Sequence, residues 1–249
     1  MKKENMIPFV EKHFQYFKEC PFEKQGVLGL PPFRWAEKLG LKGVPLVDQL
    51  PQESLDRSSV RAICRDFTKP VLFGYVCAMC WGVQEKGPRG DRGVTEAWDG
   101  RKTIEEHLET IRKGNLSRGE AYNLLSGKRK VKGLGPSYLT KLLFFFSPAE
   151  DFWIMDQWTA KSVNLLSGEI VVRISGGAPS GRNKGGNYQA FCEEIDKLAS
   201  RINCDGNQIE QRLMSRAKPL GKWRKYVVKH DYDKEKMVER YPHIKPSEL

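Results

Sequence analysis

The sequence has no hydrophobic run long enough to span a membrane, and its first residues, Met-Lys-Lys-Glu-Asn, lack the apolar stretch of a secretory signal. We therefore expect a cytoplasmic protein without a membrane partner. Cysteine is also scarce, because its six residues are spread along the chain and form no set of four closely spaced thiols for an iron–sulfur cluster. The expected cofactor and metal content is therefore none.

Two short motifs that often mark cofactor sites are incomplete in this chain. Cys77 and Cys80 form one Cys-x-x-Cys pair inside an apolar run, with no second pair at ligand spacing, so we predict a buried helix face and not a zinc or redox site. The glycine-rich residues 175–187 lack the strand followed by Gly-Lys-Ser/Thr that forms a phosphate-binding P-loop. We exclude ATP binding on that ground and predict a flexible loop.

Acidic residues are outnumbered, because 42 Lys and Arg stand against 31 Asp and Glu and leave a formal net charge of +11. Such an excess favours a polyanionic partner through counterion release, although many basic proteins bind no specific site. Of three basic clusters, the first directly precedes two glycines and is the strongest candidate for phosphate contacts. The third is as consistent with a solvated face as with DNA contact. The clusters are Lys128, Arg129, Lys130 and Lys132; Arg182 and Lys184; and Lys222, Arg224, Lys225 and Lys229.

Apolar spacing of three and four residues predicts a mainly α protein, one domain over residues 1–249, with little β structure. Six prolines within residues 1–60 predict an irregular N-terminal layer on the core. The only clear strand is Glu169–Ile174. We predict helices at Ile7–Lys18, from Val60–Ile63 onward, Pro70–Val83, Thr103–Lys113, Arg118–Leu125, Pro136–Phe146, Gln157–Leu166, Tyr188–Ile202 and Asn207–Ser215, with Thr103, Ser117 and Asp205 as caps.

Residues 131–136, Val-Lys-Gly-Leu-Gly-Pro, predict a tight turn that leads into a helix. Gly133 and Gly135 supply the backbone freedom of the turn, and Pro136 suits the first helical position because its nitrogen has no hydrogen that needs a partner. The free amide groups and positive dipole end of the helix then face outward, where no side chain keeps a phosphate oxygen away. The predicted DNA-phosphate contacts are Lys132, Gly133, Leu134, Gly135 and Ser137.

The order of helix, Gly-Leu-Gly hairpin, helix, short loop and aspartate over residues 117–166 resembles the helix-hairpin-helix (HhH-GPD) superfamily of DNA glycosylases. Within it, the chain most resembles the bacterial branch with the 8-oxoguanine glycosylase fold. The resemblance implies two helical lobes with a DNA cleft, and a monomer that contacts DNA mainly through phosphates and flips one base out of the duplex. It allows a monovalent cation at the hairpin, and it places Asp156 on the essential aspartate of the superfamily.

Base removal needs a carboxylate such as Asp156. Breaking the bond between deoxyribose and base builds positive charge on the sugar, which a fixed carboxylate stabilises while it orients a water molecule. Asp156 also precedes the predicted helix Gln157–Leu166, where aspartate is a good N-cap. Both roles can hold together, and after this hairpin we favour catalysis over capping alone.

Relatives that also cut the DNA strand carry a lysine two residues after the second hairpin glycine, and this chain has Ser137 there. Serine cannot form the imine that strand scission requires, so the resemblance implies a monofunctional enzyme that uses water, as in the adenine-removing branch. Lys141 lies one helical turn further on the same face, so a displaced lysine nucleophile stays open. An exposed helix lysine, however, is more often solvated or on a phosphate.

Gln157 and Trp158 flank the aspartate, and we expect them to touch the flipped base or the DNA. Trp158 stands where related 8-oxoguanine enzymes have a phosphate-contacting histidine, so two substrate classes stay open. One is an oxidised purine such as 8-oxoguanine, removed in DNA repair, and the other is a hypermodified phage base such as glucosylated hydroxymethylcytosine, removed in antiviral defence. The alternative from another functional class is a non-catalytic helix-hairpin-helix module, for which Asp156 is dispensable.

Overall fold

The structure is a computed structural model that describes residues 9–22, 26–27, 29–83, 87–215 and 221–230, with residues 87–90 as backbone only. This part of the chain is mainly helical, as predicted, with one antiparallel pair of two-residue strands. The helices are α1 (Glu11–Lys18), α2 (Pro32–Leu39), a 3-10 helix (Val47–Gln49), α3 (Arg57–Arg65), α4 (Val71–Val83), α5 (Gly87–Asp99), α6 (Arg101–Arg112), α7 (Arg118–Ser126), α8 (Pro136–Phe146), α9 (Gln157–Ser167), α10 (Gly185–Ile202), α11 (Gly206–Met214) and α12 (Lys222–His230); the strands are β1 (Ile174–Ser175) and β2 (Ala178–Pro179).

Helix α4 lies at the centre of the fold, because all 13 of its residues are buried. A helix that is apolar on every side needs partners on every side, and α4 packs against α2, α3, α6 and α8. One hydrophobic cluster around it contains side chains from both α1 and α12. Cys77 and Cys80 lie in α4 and are 0% and 2% exposed, so the predicted buried helix face is confirmed.

Helices α7, α8 and α9 carry the hairpin and the loop that leads to Asp156. A capping box between Ser117 and Glu120 begins α7, and Pro136 begins α8 at the predicted residue. The core fixes both later helices, because α8 packs on α3, α4 and α7, while α9 packs on α10 and α11. The hairpin and the start of α9 are therefore mounted on buried elements.

The region after α9 differs from prediction. The predicted strand Glu169–Ile174 is wrong, because the Asn164 side chain binds both the amide (2.9 Å) and the carbonyl (2.8 Å) of Val172, which a neighbouring strand would need. Of the predicted range, only Ile174 lies in a strand, β1, which pairs with β2. Residues 175–187 are therefore not one irregular loop, since they contain β2 and the first turn of α10, which begins three residues before the predicted Tyr188.

The N-terminal layer, residues 1–60, is more regular than predicted where it is described. Pro31 and Pro32 open α2 and do not break a helix. Asp56 caps α3, so this helix begins at Arg57 and not at Val60. The predicted Thr103 cap is also wrong, since α6 begins after Gly100. Helices α2, α5 and α12 were not predicted, and residues 7–8 of the first predicted helix lie outside the described residues.

Two observations bear on the predicted absence of a membrane span and of a metal. None of the helices in the described ranges is long and apolar enough to cross a membrane. In the same residues, no three His, Cys, Asp or Glu side chains lie close enough together to hold a metal ion.

Candidate active site

The hairpin between α7 and α8 packs directly on α5. Gly133 has a φ of +86°, which favours glycine, and a Cβ atom there would lie 2.1 Å from the carbonyl oxygen of Gly93 on α5. Gly135 is exposed, and a Cβ atom there would meet nothing within 4 Å among the described residues. The first glycine therefore fits the hairpin to the fold, and the second leaves backbone open to solvent.

Helix α8 begins without a side-chain cap. Gly135 is the N-cap residue, Pro136 is the first helical residue, and no described side chain caps the first turn. Uncapped amide groups at the positive end of a helix suit an anionic oxygen such as that of a phosphate. The five residues predicted to contact phosphate all lie on or next to this turn, and their contact with DNA stays a prediction.

The basic residues before the hairpin are exposed, and two of them are paired with acidic side chains. Lys132 forms an ion pair with Glu96 of α5, and Arg129 forms one with Glu106 of α6. The basic side chains are 84% and 62% exposed, so both ion pairs are weak and are screened by salt. A DNA phosphate can therefore replace either carboxylate at little cost.

Asp156 is the N-cap of α9 and uses one carboxylate oxygen for that role. Oδ1 accepts hydrogen bonds from the backbone amides of Trp158 (2.7 Å) and Thr159 (3.0 Å), so the capping prediction is confirmed. Oδ2 accepts no hydrogen bond from the described part of the chain, and the residue is 6% exposed. The cap holds the carboxylate in place and leaves one oxygen for a ligand.

Two buried threonines hold the backbone at Asp156. Thr159 Oγ1 accepts a hydrogen bond from the Asp156 amide (2.9 Å). Thr140 Oγ1 on α8 accepts from the Met155 amide (3.0 Å) and donates to the Pro136 carbonyl (3.1 Å). Thr140 thus joins the loop before the aspartate to the first turn of α8. The hairpin end of α8 and the carboxylate are therefore held together as one unit.

Lys141 is buried at 6% exposure, so the expectation of an exposed helix lysine is wrong. Its stem lies against Gly82 of α4, where a Cβ atom would be 2.8 Å from Lys141 Cδ. Its Nζ donates to the Ser137 carbonyl (3.3 Å) and lies 5.3 Å from the centroid of the Tyr138 ring. Lys141 and Ser137 do share a helix face, as predicted, but the ammonium group is held inside the protein.

Glu210 of α11 is a fully buried acid near these residues, and it was not predicted from sequence. It forms an ion pair with Arg57 of α3, whose guanidinium lies 3.9 Å from the Phe144 ring centroid. Burial raises the pKa of Glu210, Arg57 opposes that shift, Asp156 adds to it and Lys141 opposes it. Asp156 and Lys141 are therefore both close enough to Glu210 for their charges to shift its pKa.

Comparison with known protein families assigns the chain to a group of DNA glycosylases. The family described as "Putative 8-oxoguanine DNA glycosylase OGG-like protein" matches residues 24–214 of the 249. The chain belongs to this OGG-like family. The matched range contains the hairpin, Asp156, Lys141 and Glu210, and it ends before α12. No curated protein and no solved structure matches the sequence.

In this OGG-like protein, the two residues expected at the flipped base, Gln157 and Trp158, begin α9, and both are half-buried. The Trp158 ring centroid lies 4.6 Å from the guanidinium carbon of Arg224 on α12. Arg224 Nε also donates to the carbonyl of Met214 (3.0 Å). Trp158 thus packs against a cation from beyond the family match, and its contact with a base stays a prediction.

Some residues of the site could have been predicted and others could not. Thr140 and Lys141 are the only polar residues within the apolar run 139–146, and a buried polar pair in such a run indicates a specific role. Glu210 lies among other polar residues of α11, so nothing in its surroundings along the sequence marks it as buried. Its ion pair with Arg57 depends on long-range packing of α11 near α3.

Proposed function

We propose that the protein is a monofunctional DNA glycosylase of the helix-hairpin-helix superfamily. It binds the DNA backbone through hairpin residues 132–137 and holds one nucleotide outside the duplex. A water molecule adds to C1′ of the deoxyribose, the bond from C1′ to the base breaks, and the base leaves with a proton. The product is an abasic site, and the strand stays intact.

The observation that carries this proposal is the geometry of Asp156. Its Oδ1 is bound by two amides of α9, while Oδ2 has no hydrogen bond within the described residues. Thr140 joins the loop residue before this aspartate, Met155, to the first turn of α8. A fixed carboxylate with one uncommitted oxygen, next to a turn suited to phosphate, stabilises positive charge on the sugar without rearrangement.

An 8-oxoguanine-type base is the substrate that the family description favours, and the reaction then belongs to DNA repair. The second candidate is a hypermodified phage base such as glucosylated hydroxymethylcytosine, in which case the reaction is antiviral. The residues that differ between these cases are those that line the base pocket, with Gln157 and Trp158 as our candidates. Both substrate classes therefore belong in the first experiment.

A bifunctional glycosylase that uses Lys141 as nucleophile is a second candidate function. The observation in its favour is that the charges of Lys141 and Asp156 both act on the same buried acid, Glu210. Ser137, at the usual lysine position, has no amine and cannot form an imine. The burial of Lys141 leads us to place the monofunctional reaction first, because an attacking amine must reach C1′.

The proposal is tested by incubating the protein with duplexes that contain 8-oxoguanine, uracil, an alkylpurine or glucosylated hydroxymethylcytosine. Each sample is divided between alkali treatment and no treatment. Strand breaks that need alkali are the expected result, and the duplex that yields them names the base. Absence of abasic sites on every duplex, together with salt-sensitive DNA binding, would instead support the non-catalytic module.

Borohydride reduction separates the two catalytic candidates. A lysine nucleophile forms an imine with the sugar, and reduction links the protein covalently to DNA. We expect no covalent species with the wild-type protein. A trapped species that disappears in Lys141→Gln would overturn the monofunctional proposal and assign the nucleophile.

A further inference from the structure

Helix α12, Lys222–His230, carries four Lys or Arg residues and no acidic residue. It is anchored on its inner side by Trp223 and Val227, which are each 1% exposed. The indole Nε1 of Trp223 donates to Ser162 Oγ (2.9 Å), and Ser162 lies on α9. A basic helix is thus fixed to the same helix that Asp156 caps.

The outer side of α12 is lined by lysines. With about 100° of rotation per residue, Lys222, Lys225 and Lys229 lie on one face, opposite Trp223 and Val227. All three lysines are exposed. Within the described residues they form no ion pair, whereas Lys132 and Arg129 near the hairpin do. This lysine face therefore carries positive charge that no described carboxylate neutralises.

The helix that carries the lysine face also contacts the candidate active site. Arg224 lies at one edge of α12, and its guanidinium packs on Trp158, two residues after Asp156. At the other edge, Tyr226 stacks on Tyr16 of α1 with ring centroids 4.0 Å apart. Contacts at both edges orient the helix, so the position of its lysines is set by the fold.

We propose that the outer face of α12, formed by Lys222, Lys225 and Lys229, is a second surface that binds the DNA phosphate backbone, separate from the hairpin. The inference rests on the proposed function, because DNA is the polyanion that meets Asp156. Phosphates that flank the flipped nucleotide suit a row of lysines that form no ion pair within the described residues, on a helix packed against the one that Asp156 caps. The lysines fix the strand and carry no base preference.

The test compares two double variants in DNA binding at several salt concentrations, with an unmodified duplex as the probe. The test variant is Lys225→Gln/Lys229→Gln, which leaves Lys222 on the Tyr16 ring. The matched control is Lys69→Gln/Lys113→Gln. Both lysines lie at the C-terminal end of α6, where Lys113 is the C-cap residue and the Lys69 carbonyl accepts from Arg112. The opposite end of this helix, which is about 18 Å long, adjoins Val131 of the hairpin, so the two control lysines are distant from the hairpin.

The slope of log affinity against log salt falls by about 0.9 for each phosphate contact that is lost. We expect the test variant to lower that slope by about 1 to 2, and the control to keep the wild-type slope. A wild-type slope in the test variant would overturn the α12 proposal. The same would hold if the control lost as much slope, because the effect would then be one of net charge.

Failure of this inference is distinguishable from failure of the proposed function, because binding to unmodified DNA needs no catalysis. Base release by a protein whose α12 variant binds like wild type would retain the glycosylase and discard the second surface. A lower slope without base release on any duplex would retain α12 as a DNA surface and discard the enzyme. A lower slope for anionic vesicles but not for DNA would replace DNA by a membrane surface as the partner.

Discussion

In our proposal Asp156 has two roles, because its two carboxylate oxygens have different surroundings. Oδ1 caps α9, and Oδ2 is left without a hydrogen bond from the described residues. The sequence predicted both roles, since an aspartate before an apolar helix is a common cap and the hairpin before it adds the catalytic context. It did not predict the threonines that hold the loop. Thr140 meets the Met155 amide only in the folded chain, whereas Thr159, three residues after Asp156, belongs to a capping box that the local sequence could have indicated.

Thr159→Val tests whether the threonine support is important for stability. The substitution keeps the shape of the buried side chain and removes the oxygen that accepts from the Asp156 amide. Leaving a buried polar group without its partner costs about 1 to 3 kcal/mol, so we expect that loss in the free energy of unfolding measured with urea. The control is Thr110→Val, an exposed helix threonine with a similar hydroxyl bond, which we expect to change stability by less than about 0.5 kcal/mol. Equal effects would contradict a special role for Thr159.

Among the helices, α5 shows why tertiary contacts override local preference. Its sequence, GPRGDRGVTEAWD, contains three glycines, each of which disfavours a helix by up to about 1 kcal/mol, and no helix was predicted there. Gly93 is explained by the hairpin, because it lets the Gly133 backbone approach to within van der Waals contact.

Helix α8 was predicted to the residue, since Pro136 and the apolar run fix both of its ends locally. For α12 the sequence predicted only a basic cluster and no helix, because two apolar anchors, Trp223 and Val227, are too few for a clear helical pattern.

The two hairpin glycines have different roles, and alanine substitutions separate them. In Gly133→Ala the new methyl group meets Gly93 on α5 and the positive φ is strained, so we expect a lower free energy of unfolding. In Gly135→Ala the methyl group meets no described atom, so stability stays near wild type. We expect DNA affinity to fall in this variant, because the methyl group would lie at the proposed phosphate site. Urea unfolding and DNA titration check both, and unchanged affinity of Gly135→Ala would contradict the phosphate role of this turn.

The junction of α1 and α12 predicts a dependence of stability on pH. The pKa of His13 is lowered from 6.5 to about 4, chiefly by burial and in smaller part by the charges of Lys12 and His230. Because the pKa is lower in the folded than in the unfolded protein, the stability linked to His13 is present above about pH 6.5 and is lost as pH falls toward 4. We expect wild type to lose more stability than His13→Gln between about pH 7 and pH 4, measured by urea unfolding. Parallel curves would contradict this role of His13.

Over the whole molecule, helices distant in sequence meet around one hydrophobic cluster, and the site is assembled on its surface. The buried pair of Arg57 and Glu210 joins α3 to α11, and Tyr16 and Tyr226 join α1 to α12. Apolar spacing predicted the helical class correctly. Which helices touch, and hence the position of Glu210 near Asp156, depends on packing that no local pattern records.

The reactivity of the cysteines measures how well this core excludes solvent and reagents. Five of the six thiols are buried, and Cys204 is partly exposed. Burial raises the pKa of Cys80 and of Cys192 to about 12, which removes the reactive thiolate. We expect an aromatic disulfide reagent to label the native protein rapidly at Cys204 alone, and to label all six thiols in denaturant. Rapid labelling that persists in Cys204→Ser would contradict the buried placement of the others.

The most direct measurement is the single-turnover rate of abasic-site formation by Asp156→Asn, on the duplex in which the wild-type protein produces alkali-sensitive sites. Asparagine caps a helix as well as aspartate does, so α9 is retained. The matched control is Asp205→Asn, because Asp205 caps α11 by accepting from the Gln208 amide (2.8 Å) and lies outside the hairpin unit. We expect Asp156→Asn to lower the rate by at least about 100-fold with DNA affinity retained, and Asp205→Asn to keep the wild-type rate. A wild-type rate in Asp156→Asn, or an equal loss in both variants, would contradict the catalytic role of Asp156.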